Sequence, residues 1–307
     1  MALRWIDAHT HVSDIGPDHV PRTNLRDDLL NVLDRCDADL RLVISCDGPY
    51  LGGIARDPDQ MLVANTMIAE LVAAAPDRLF GSCMINPRFL DEALRVMDLC
   101  FGEWGFVQLG EMLPYSMDYV MDSNEAEATV RAAALFDVPV HVHMGTYWKP
   151  GGLGSSGDGM NQMGDLLGIV ERVPEAKYVL AHAIGCGPTP DYIPWADWFL
   201  DVIQGTFAQW PDNFWIEVRD FQCAALPRTL AEVPVGRILA GTDWTTRIGP
   251  PFANYGTMFD VAEDENPFAP EVASFVGFLR DAGANDEDIE RIAHRNAEEL
   301  YGLHLDG

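Results

Sequence analysis

The sequence lacks the features that mark membrane, secreted and disulfide-stabilised proteins. It contains no apolar run of about 18 residues or more, so it predicts no membrane-spanning helix. No basic stretch followed by an apolar core opens the chain, so no secretion signal is expected. The six cysteines are scattered and form no C-x-x-C pair, which argues against a disulfide framework or a structural zinc module. We therefore expect a cytoplasmic protein.

Positive charge is also scarce. Lys149 and Lys177 are the only lysines among 20 basic residues, while 48 acidic residues bring the formal net charge to −28. A surface this acidic repels phosphate backbones and anionic lipids. The composition thus argues against nucleic acid and against a membrane as partners.

Apolar runs typical of buried strands alternate with helical patterns along the 307 residues. Strands are predicted at residues 6–12, 40–46, 79–85, 105–111, 139–145, 178–182, 214–218 and 238–243. Helices are predicted at residues 25–36, 60–75, 91–101, 125–136, 162–173, within 193–210, and at 226–233, 271–281 and 286–300. This alternation predicts an α/β fold with a parallel sheet, and eight units favour a closed (β/α)8 TIM barrel over an open doubly wound sheet. Because no linker divides the chain, we predict one domain over residues 1–307 that ends in helices.

Two histidines, His9 and His11, stand two residues apart in the first predicted strand. Side chains at this spacing point to the same face of a strand, so both could reach one metal ion. Neutral imidazole is the commonest protein ligand for such ions. Taken alone, the pair is equally compatible with two histidines that simply alternate along a strand.

Further metal-binding side chains stand where other predicted strands end. In a TIM barrel the catalytic groups lie at the C-terminal ends of the strands. The polar residues at those ends are His9, His11, Glu111, His143, His182 and Asp243. His141 shares a face with His143 but lies about 6–7 Å deeper, so we interpret it as a core histidine.

These residues lie within motifs of a known family. The motifs are D-A-H-T-H-V at the start, P-V-H-V-H-M-G in the fifth strand, V-L-A-H-A-I-G in the sixth, I-L-A-G-T-D-W in the eighth and H-R-N-A-E-E-L-Y-G-L in the final helix. The set resembles the amidohydrolase superfamily, and most closely its branch that contains aminocarboxymuconate semialdehyde decarboxylase and related hydrolases. The matches span nearly the whole chain in order, and they imply a metal-dependent TIM-barrel enzyme.

The resemblance also implies residue roles. His9, His11 and His143 would be metal ligands. Asp243 would be a ligand, or the base that takes a proton from metal-bound water. His182 would polarise the substrate or bind the metal. Such roles are chemically consistent, because a divalent metal lowers the pKa of its water to about 7 and a neighbouring carboxylate can accept the proton. The expected cofactor is a divalent metal, zinc first, with manganese or iron as alternatives.

Glu111 departs from this branch. A G-E pair at the end of the fourth strand is similar to TatD-type hydrolases, in which the glutamate bridges two metals, whereas many members of the branch hold one metal. We therefore expect one ion, or two if Glu111 bridges. A glutamate that faces the substrate or forms a salt bridge is the alternative.

Three residues after predicted strand ends are candidates for substrate binding. Arg247 could hold a substrate carboxylate with two hydrogen bonds, although an ordinary loop arginine explains it as well. Tyr147 and Trp244 could line an apolar pocket, and packing under loops explains them equally.

The leading hypothesis is a metal-dependent hydrolase that cleaves a C–N or C–O bond of a small polar substrate with metal-activated water. Three alternatives are non-oxidative decarboxylation of an unsaturated or aromatic acid, a dinuclear iron or manganese oxygenase, and a catalytically silent subunit of a hetero-oligomer. By analogy with the superfamily we expect a homo-oligomer.

Overall fold

The computed structural model describes residues 3–15, 25–34, 36–47, 49–144, 159–184, 195–245 and 272–305. The strands are β1 (Arg4–Val12), β2 (Asp39–Cys46), β3 (Leu79–Cys83), β4 (Gln108–Met112), β5 (Val140–Val142), β6 (Tyr178–Ile184), β7 (Phe214–Val218), β8 (Ile238–Ala240) and β9 (Trp244–Thr245). The helices are α1 (Leu25–Asp34), α2 (Pro49–Ile54), α3 (Asp59–Ala74), α4 (Leu90–Gly102), α5 (Pro114–Met117), α6 (Asn124–Leu135), α7 (Gly159–Arg172), α8 (Trp195–Thr206), α9 (Leu226–Glu232), α10 (Val272–Asp281), α11 (Asp286–Glu290) and α12 (Asn296–Tyr301). A π-helical turn, Arg291–Arg295, joins α11 to α12.

The strands form one parallel sheet in the order β8-β7-β6-β5-β4-β3-β2-β1-β9. β9 follows β8 after residues 241–243 and pairs with β1, with Thr10 opposite Trp244 and His11 opposite Thr245. The end of the last strand thus returns to the first, and the sheet closes into a nearly complete barrel. The predicted TIM barrel is confirmed, and the open sheet is wrong.

The predicted strands and helices are all present, with bounds that shift by a few residues. β5 and β8 each end three residues before their predicted ends at the site, because the ladder hydrogen bonds stop there before the apolar pattern does. The short helices α2 and α5 were not predicted. α2 contains Gly52 and Gly53, which lower its helix propensity, and α5 has only four residues.

Side-chain caps explain where two of the helices begin. Ser123, the N-cap of α6, accepts a hydrogen bond from the Ala126 amide at 3.1 Å. Asn285 caps α11 in a reciprocal capping box with Asp288. Each side chain satisfies an amide that the first helical turn leaves unpaired.

Apolar side chains pack in two layers. The larger core lies between the sheet and the helices and includes Trp5 and Phe275. The smaller core fills the barrel interior and consists of Ile6, Ala8, Val43, Phe80, Val179, Trp215 and Leu239 from the strands with Ala297, Leu300 and Tyr301 from the C-terminal end of the helical segment. Because these strand residues precede the predicted metal ligands, α12 closes the N-terminal end of the barrel. In the described part of the chain, no helix has both the length and the apolar character needed to cross a bilayer.

Candidate metal centre

The predicted metal-binding side chains meet at the C-terminal end of the barrel. They are His9 and His11 on β1, Glu111 on β4, His143 after β5, His182 on β6 and Asp243 between β8 and β9. The side chains of His143 and Asp243 are 18% and 21% exposed, and the other four are buried. The structure therefore brings together the six side chains that sequence position selected.

The backbone is irregular at three of these residues. The register between neighbouring strands shifts in β1 between Asp7 and Thr10, in β4 between Leu109 and Met112, and in β6 between Leu180 and Ile184. In β1 the effect is clear, because Ile6 and Ala8 face the barrel interior and strict alternation would turn His9 away from it. The β-bulge reverses that phase, so His9 and His11 both face the centre.

Positive φ values occur at His182, Asp243 and Gly110. His182 and Asp243 adopt left-handed φ values of 53° and 54°, a region that costs a residue with a side chain about 1–2 kcal/mol. Such conformations persist only where the surrounding structure holds them. Gly110 has a φ of 131°, and a Cβ there would lie 2.4 Å from the carbonyl oxygen of His141. A glycine is therefore needed to place Glu111.

Hydrogen bonds orient the two histidines of β1. The Nδ1 atom of His9 lies 2.8 Å from Oε2 of Glu217, and Nδ1 of His11 lies 3.1 Å from the carbonyl oxygen of Cys46. Since both oxygens only accept, each Nδ1 can donate a proton to its partner and direct Nε2 at the centre, and the Ser45 hydroxyl, 2.8 Å from Nδ1 of His11, is a further partner of that atom. The two Nε2 atoms are 2.9 Å apart. Two lone pairs at that distance repel each other unless a cation or a proton lies between them.

Glu111 lies between two pairs of histidines. Its Oε2 is 3.3 Å from Nε2 of His11, while its Oε1 is 2.6 Å from Nδ1 of His143 and 3.2 Å from Nε2 of His182. Asp243 spans the same two pairs, with Oδ1 3.3 Å from His11 and Oδ2 3.6 Å from His182. Oε1 of Glu111 also lies 3.5 Å from Nε2 of His9, so both carboxylates contact histidines of both pairs.

The spacing of these atoms fits a divalent metal. With metal–ligand bonds of about 2.1 Å, neighbouring ligand atoms of a tetrahedral or octahedral ion lie about 3.0–3.5 Å apart. The contacts among His9, His11, Glu111 and Asp243 run from 2.9 to 3.6 Å. Imidazole and carboxylate together suit zinc, manganese and iron. This group of four residues thus fits such an ion in both spacing and chemistry.

Burial and charge pairing set the protonation of the centre. Burial lowers the pKa of His182 to about 4. Burial also acts to lower the pKa of His11, but hydrogen bonds to Asp243 and Glu111 outweigh it and raise that pKa to about 10. For Glu111, burial acts to raise the pKa, and the charges of His143 and His9 bring it well below the usual range. The metal-free centre thus holds protons that a divalent ion would displace.

Glu217 was not among the predicted site residues. It is fully buried on β7 and contacts both His9 and His141. Burial acts to raise its pKa, but the charges of His9 and His141 lower the pKa below the usual range of a glutamate. One signal was present in the sequence, since a single carboxylate in the apolar strand F-W-I-E-V is rarely buried unless it is paired.

Asp7 and Arg219 also contact the centre and were not predicted. Asp7 accepts hydrogen bonds from the His9 amide at 3.1 Å, from the Thr242 amide at 2.9 Å and from the Thr242 hydroxyl. Burial raises the pKa of Asp7 to about 7. Arg219 follows β7, and its Nη2 lies 3.3 Å from Oδ2 of Asp243. The hydrogen bonds of Asp7 tie β1 to the segment before Asp243. Arg219 places a positive charge beside Asp243.

The predicted substrate-binding residues fare differently. Trp244 is 3% exposed and packs in the larger core. Tyr147 and Arg247 lie outside the described residues. A role for these three in substrate binding stays a prediction. Tyr115 lies with its ring centre 5.0 Å from that of His143, as expected for a side chain at the mouth of the barrel.

Solved structures with the same fold are enzymes of varied chemistry. A 5-carboxyvanillate decarboxylase from Sphingomonas paucimobilis superposes with a TM-score of 0.65 at 18% identity, covering 99% of this chain and 100% of the other. A dihydroxybenzoic acid decarboxylase from Polaromonas sp. JS666, solved with bound manganese and the inhibitor 2-nitroresorcinol, gives 0.64 at 18%, covering 99% and 98%. A 4-oxalomesaconate hydratase from Rhodopseudomonas palustris gives 0.62 at 12%, covering 97% and 95%. At such low identity these likenesses establish the fold alone.

The family is established by sequence. A search of curated proteins finds no match. The sequence model of the amidohydrolase family, in contrast, matches residues 6–303, which is nearly the whole chain. This chain therefore belongs to the amidohydrolase family of metal-dependent enzymes.

Proposed function

We propose that this protein is a hydrolase that cleaves a C–N or C–O bond of a small polar substrate with the help of a divalent metal. The ligands would be His9, His11, Glu111, His143, His182 and Asp243. The observation that carries the proposal is that both carboxylates contact histidines of both pairs. Glu111 contacts His11 through Oε2 and His9, His143 and His182 through Oε1. Asp243 contacts His9 and His11 through Oδ1 and His182 through Oδ2. Two carboxylates shared between two pairs of histidines support a site for two ions, with Glu111 as the bridge.

Zinc is the ion we expect first, with manganese or iron as alternatives. A divalent ion held here would supply an acidified water and would polarise a carbonyl oxygen. Asp243 has the more exposed carboxylate and reaches both pairs of histidines, so it is the residue we assign to accept the proton of the attacking water. Arg219, 3.3 Å from Asp243, would keep that carboxylate ionised before the reaction.

Decarboxylation is the second candidate. The same residues would serve, with a proton delivered to carbon in place of attack on a carbonyl. The positive charge of Arg219 beside Asp243 favours it, because a guanidinium next to the centre suits a substrate carboxylate. An oxygenase would use the same ligands with iron or manganese, and the silent-subunit alternative is disfavoured because the set of ligands is complete.

The test is metal content by elemental analysis of protein purified without added metal. We expect close to two divalent ions per chain, and a fall in Glu111→Ala because the bridging ligand is lost. Glu103→Ala, which removes an exposed glutamate at the end of α4, is the matched control and should leave the content unchanged.

Several outcomes would change the assignment. Wild-type protein that binds no divalent ion would overturn the proposed function. One ion per chain, unchanged in Glu111→Ala, would rule out the bridge. Two iron ions with oxygen consumption would favour the oxygenase, and carbon dioxide release from aromatic acids without oxygen would favour the decarboxylase.

A further inference from the structure

Beneath the metal centre, a column of buried polar side chains runs down the barrel interior. Its members are Glu217 of β7, His141 of β5, Gln108 of β4 and Tyr301 of α12, and all are 8% exposed or less. Polar groups so deep in an apolar interior are costly unless they bond to one another. The column connects α12, at the N-terminal end of the barrel, to the ligands at the other end.

The donor and acceptor of each hydrogen bond in this column can be assigned by starting from the Tyr301 hydroxyl. The Tyr301 hydroxyl donates to Oε1 of Gln108 at 2.7 Å, so the Gln108 amide nitrogen faces the other way. That nitrogen donates to Nδ1 of His141 at 3.2 Å and to the Ser82 hydroxyl at 3.2 Å. The Ser82 hydrogen is itself donated to the carbonyl oxygen of Gly110. Nδ1 of His141 therefore accepts, and the proton of this imidazole lies on Nε2.

Three N–H groups converge on Glu217. Nε2 of His141 lies 3.4 Å from Oε1 in an electrostatic contact, and neither atom forms a hydrogen bond among the described residues. Oε2 accepts from Nδ1 of His9 at 2.8 Å and from the backbone amide of His182 at 3.1 Å. Glu217 thus holds the imidazole ring of His9 and the backbone of His182, the predicted ligand with the left-handed φ of 53°.

We propose that Glu217 is a positioning residue of the metal centre, and that Tyr301, Gln108 and His141 hold it in the orientation that directs Nε2 of His9 at the metal. The inference rests on the proposed function, because it assumes that His9 binds a metal. Glu217 itself would not touch the ion. Its role would be to fix the proton of His9 on Nδ1 and to hold the backbone of His182.

Glu217→Gln tests this role with almost no change of shape. The amide offers one oxygen and one NH₂ group, yet the site presents three donors. If the oxygen keeps the bonds to His9 and His182, the NH₂ group faces the N–H of His141. His141 can relieve that conflict only by moving its proton to Nδ1, where it would oppose the amide of Gln108.

The measurement is zinc affinity by competition with a chromogenic chelator, with folding checked by circular dichroism. We expect Glu217→Gln to bind zinc about 10–100-fold more weakly than wild type, the usual effect of losing a partner of a ligating histidine. A changed absorption spectrum of the cobalt(II)-loaded variant would show that ligand geometry has altered. A purely structural role of Glu217 would lower the stability of the fold without changing that spectrum.

Tyr301→Phe is a second variant that keeps the test decisive if Glu217→Gln does not fold. It frees the Gln108 amide to turn, so we expect a smaller loss of zinc affinity in the same direction. Tyr178→Phe is the matched control, since its hydroxyl donates to the Val173 carbonyl at 3.0 Å in the larger core, away from the column.

The inference would be overturned by wild-type zinc affinity in folded Glu217→Gln, or in Tyr301→Phe if only that variant folds. An equal loss in Tyr178→Phe would also overturn it. In either case wild-type zinc binding would leave the proposed function intact. Wild-type protein that binds no zinc, manganese or iron would overturn both.

Discussion

At the scale of single residues, Gly241 determines where Glu217 can lie. It directly follows β8, and a Cβ at this position would come within 2.0 Å of Oε1 and 2.3 Å of Cδ of Glu217. No side chain other than hydrogen leaves room for the carboxylate in its observed place. The glycine in the motif I-L-A-G-T-D-W is thus required because any larger residue would collide with Glu217 on the neighbouring strand β7.

Gly241→Ala should therefore weaken metal binding as well as the fold. We expect a loss of about 1–3 kcal/mol in the free energy of unfolding, the usual cost of forcing an extra methyl group into a packed interior. Zinc affinity should fall with it, because Glu217 must move away from His9. Urea unfolding and chelator competition measure the two effects.

Gly277→Ala in α10 is the control for that substitution. No atom lies within 4 Å of the Cβ it would add, and alanine favours a helix over glycine by about 1 kcal/mol. We expect equal or higher stability and unchanged zinc affinity. Full zinc affinity in Gly241→Ala would contradict the steric argument.

At the scale of secondary-structure elements, polar contacts attach α12 to β8 and to β1, on either side of the place where the barrel closes. Asn296 donates to the carbonyl oxygens of Val235 and Ile238 at 2.7 and 2.8 Å, next to β8. Arg4 of β1 forms an ion pair with Glu298 at 2.7 Å. Between these contacts, Leu300 enters the interior core. The helix thus covers the N-terminal end of the barrel, and polar contacts hold it in place there.

Leu300→Ala should be strongly destabilising. Leu300 is 4% exposed within the smaller core, so its truncation loses apolar contacts and leaves a cavity, at a cost of about 2–5 kcal/mol in the free energy of unfolding. Leu135→Ala in α6 is the matched control, because that leucine is 88% exposed and should change stability by about 0.5 kcal/mol or less. Equal midpoints of urea unfolding in the two variants would show that α12 does not close the core.

Sequence alone predicted the eight main strands, the longer helices and the face that carries most of the ligands. Alternation along β5 places His141 and His143 inward, and the same rule applied to β7 pairs Glu217 with the inward Trp215. What the pattern does not contain is the phase reversal in β1, because a bulge adds one residue without changing composition. The left-handed φ of Asp243 is equally invisible, since it depends on contacts with residues far away in sequence.

Glu217 was missed for a related reason. Its function depends on neighbours from β1, β5 and β6, and the sequence contains no local motif that joins them. A buried carboxylate on a strand indicates a partner but does not name it. The predicted homo-oligomer likewise stays a prediction.

At the scale of the whole molecule, charge is the dominant feature. With 48 acidic and 20 basic residues, most carboxylates have no cation to pair with. Exposed ion pairs such as Arg131 with Glu127 and Glu175 contribute little each. Net repulsion among the remaining carboxylates opposes the compact state.

Thermal stability should therefore rise with salt. Increasing sodium chloride from about 0.01 M to 0.1 M shortens the screening length from about 30 Å to about 10 Å and weakens the repulsion. We expect the unfolding midpoint to rise by about 3 °C or more over that range, as measured by differential scanning fluorimetry. A fall would show that attractive ion pairs dominate. A rise that begins only above about 0.5 M would indicate exclusion of salt from the surface.

The closure of the barrel by β9 gives the metal centre a mechanical role. Among the described residues β9 joins β1 through two residue pairs, and His9 and His11 lie on one side of this junction while Asp243 lies on the other. An ion bound by these three would cross-link the first strand to the last. Without it, the junction between the first strand and the last would lose this cross-link. The edges of β1 and β9 would then be available to pair with another chain, which makes metal depletion a route to aggregation as well as to inactivity.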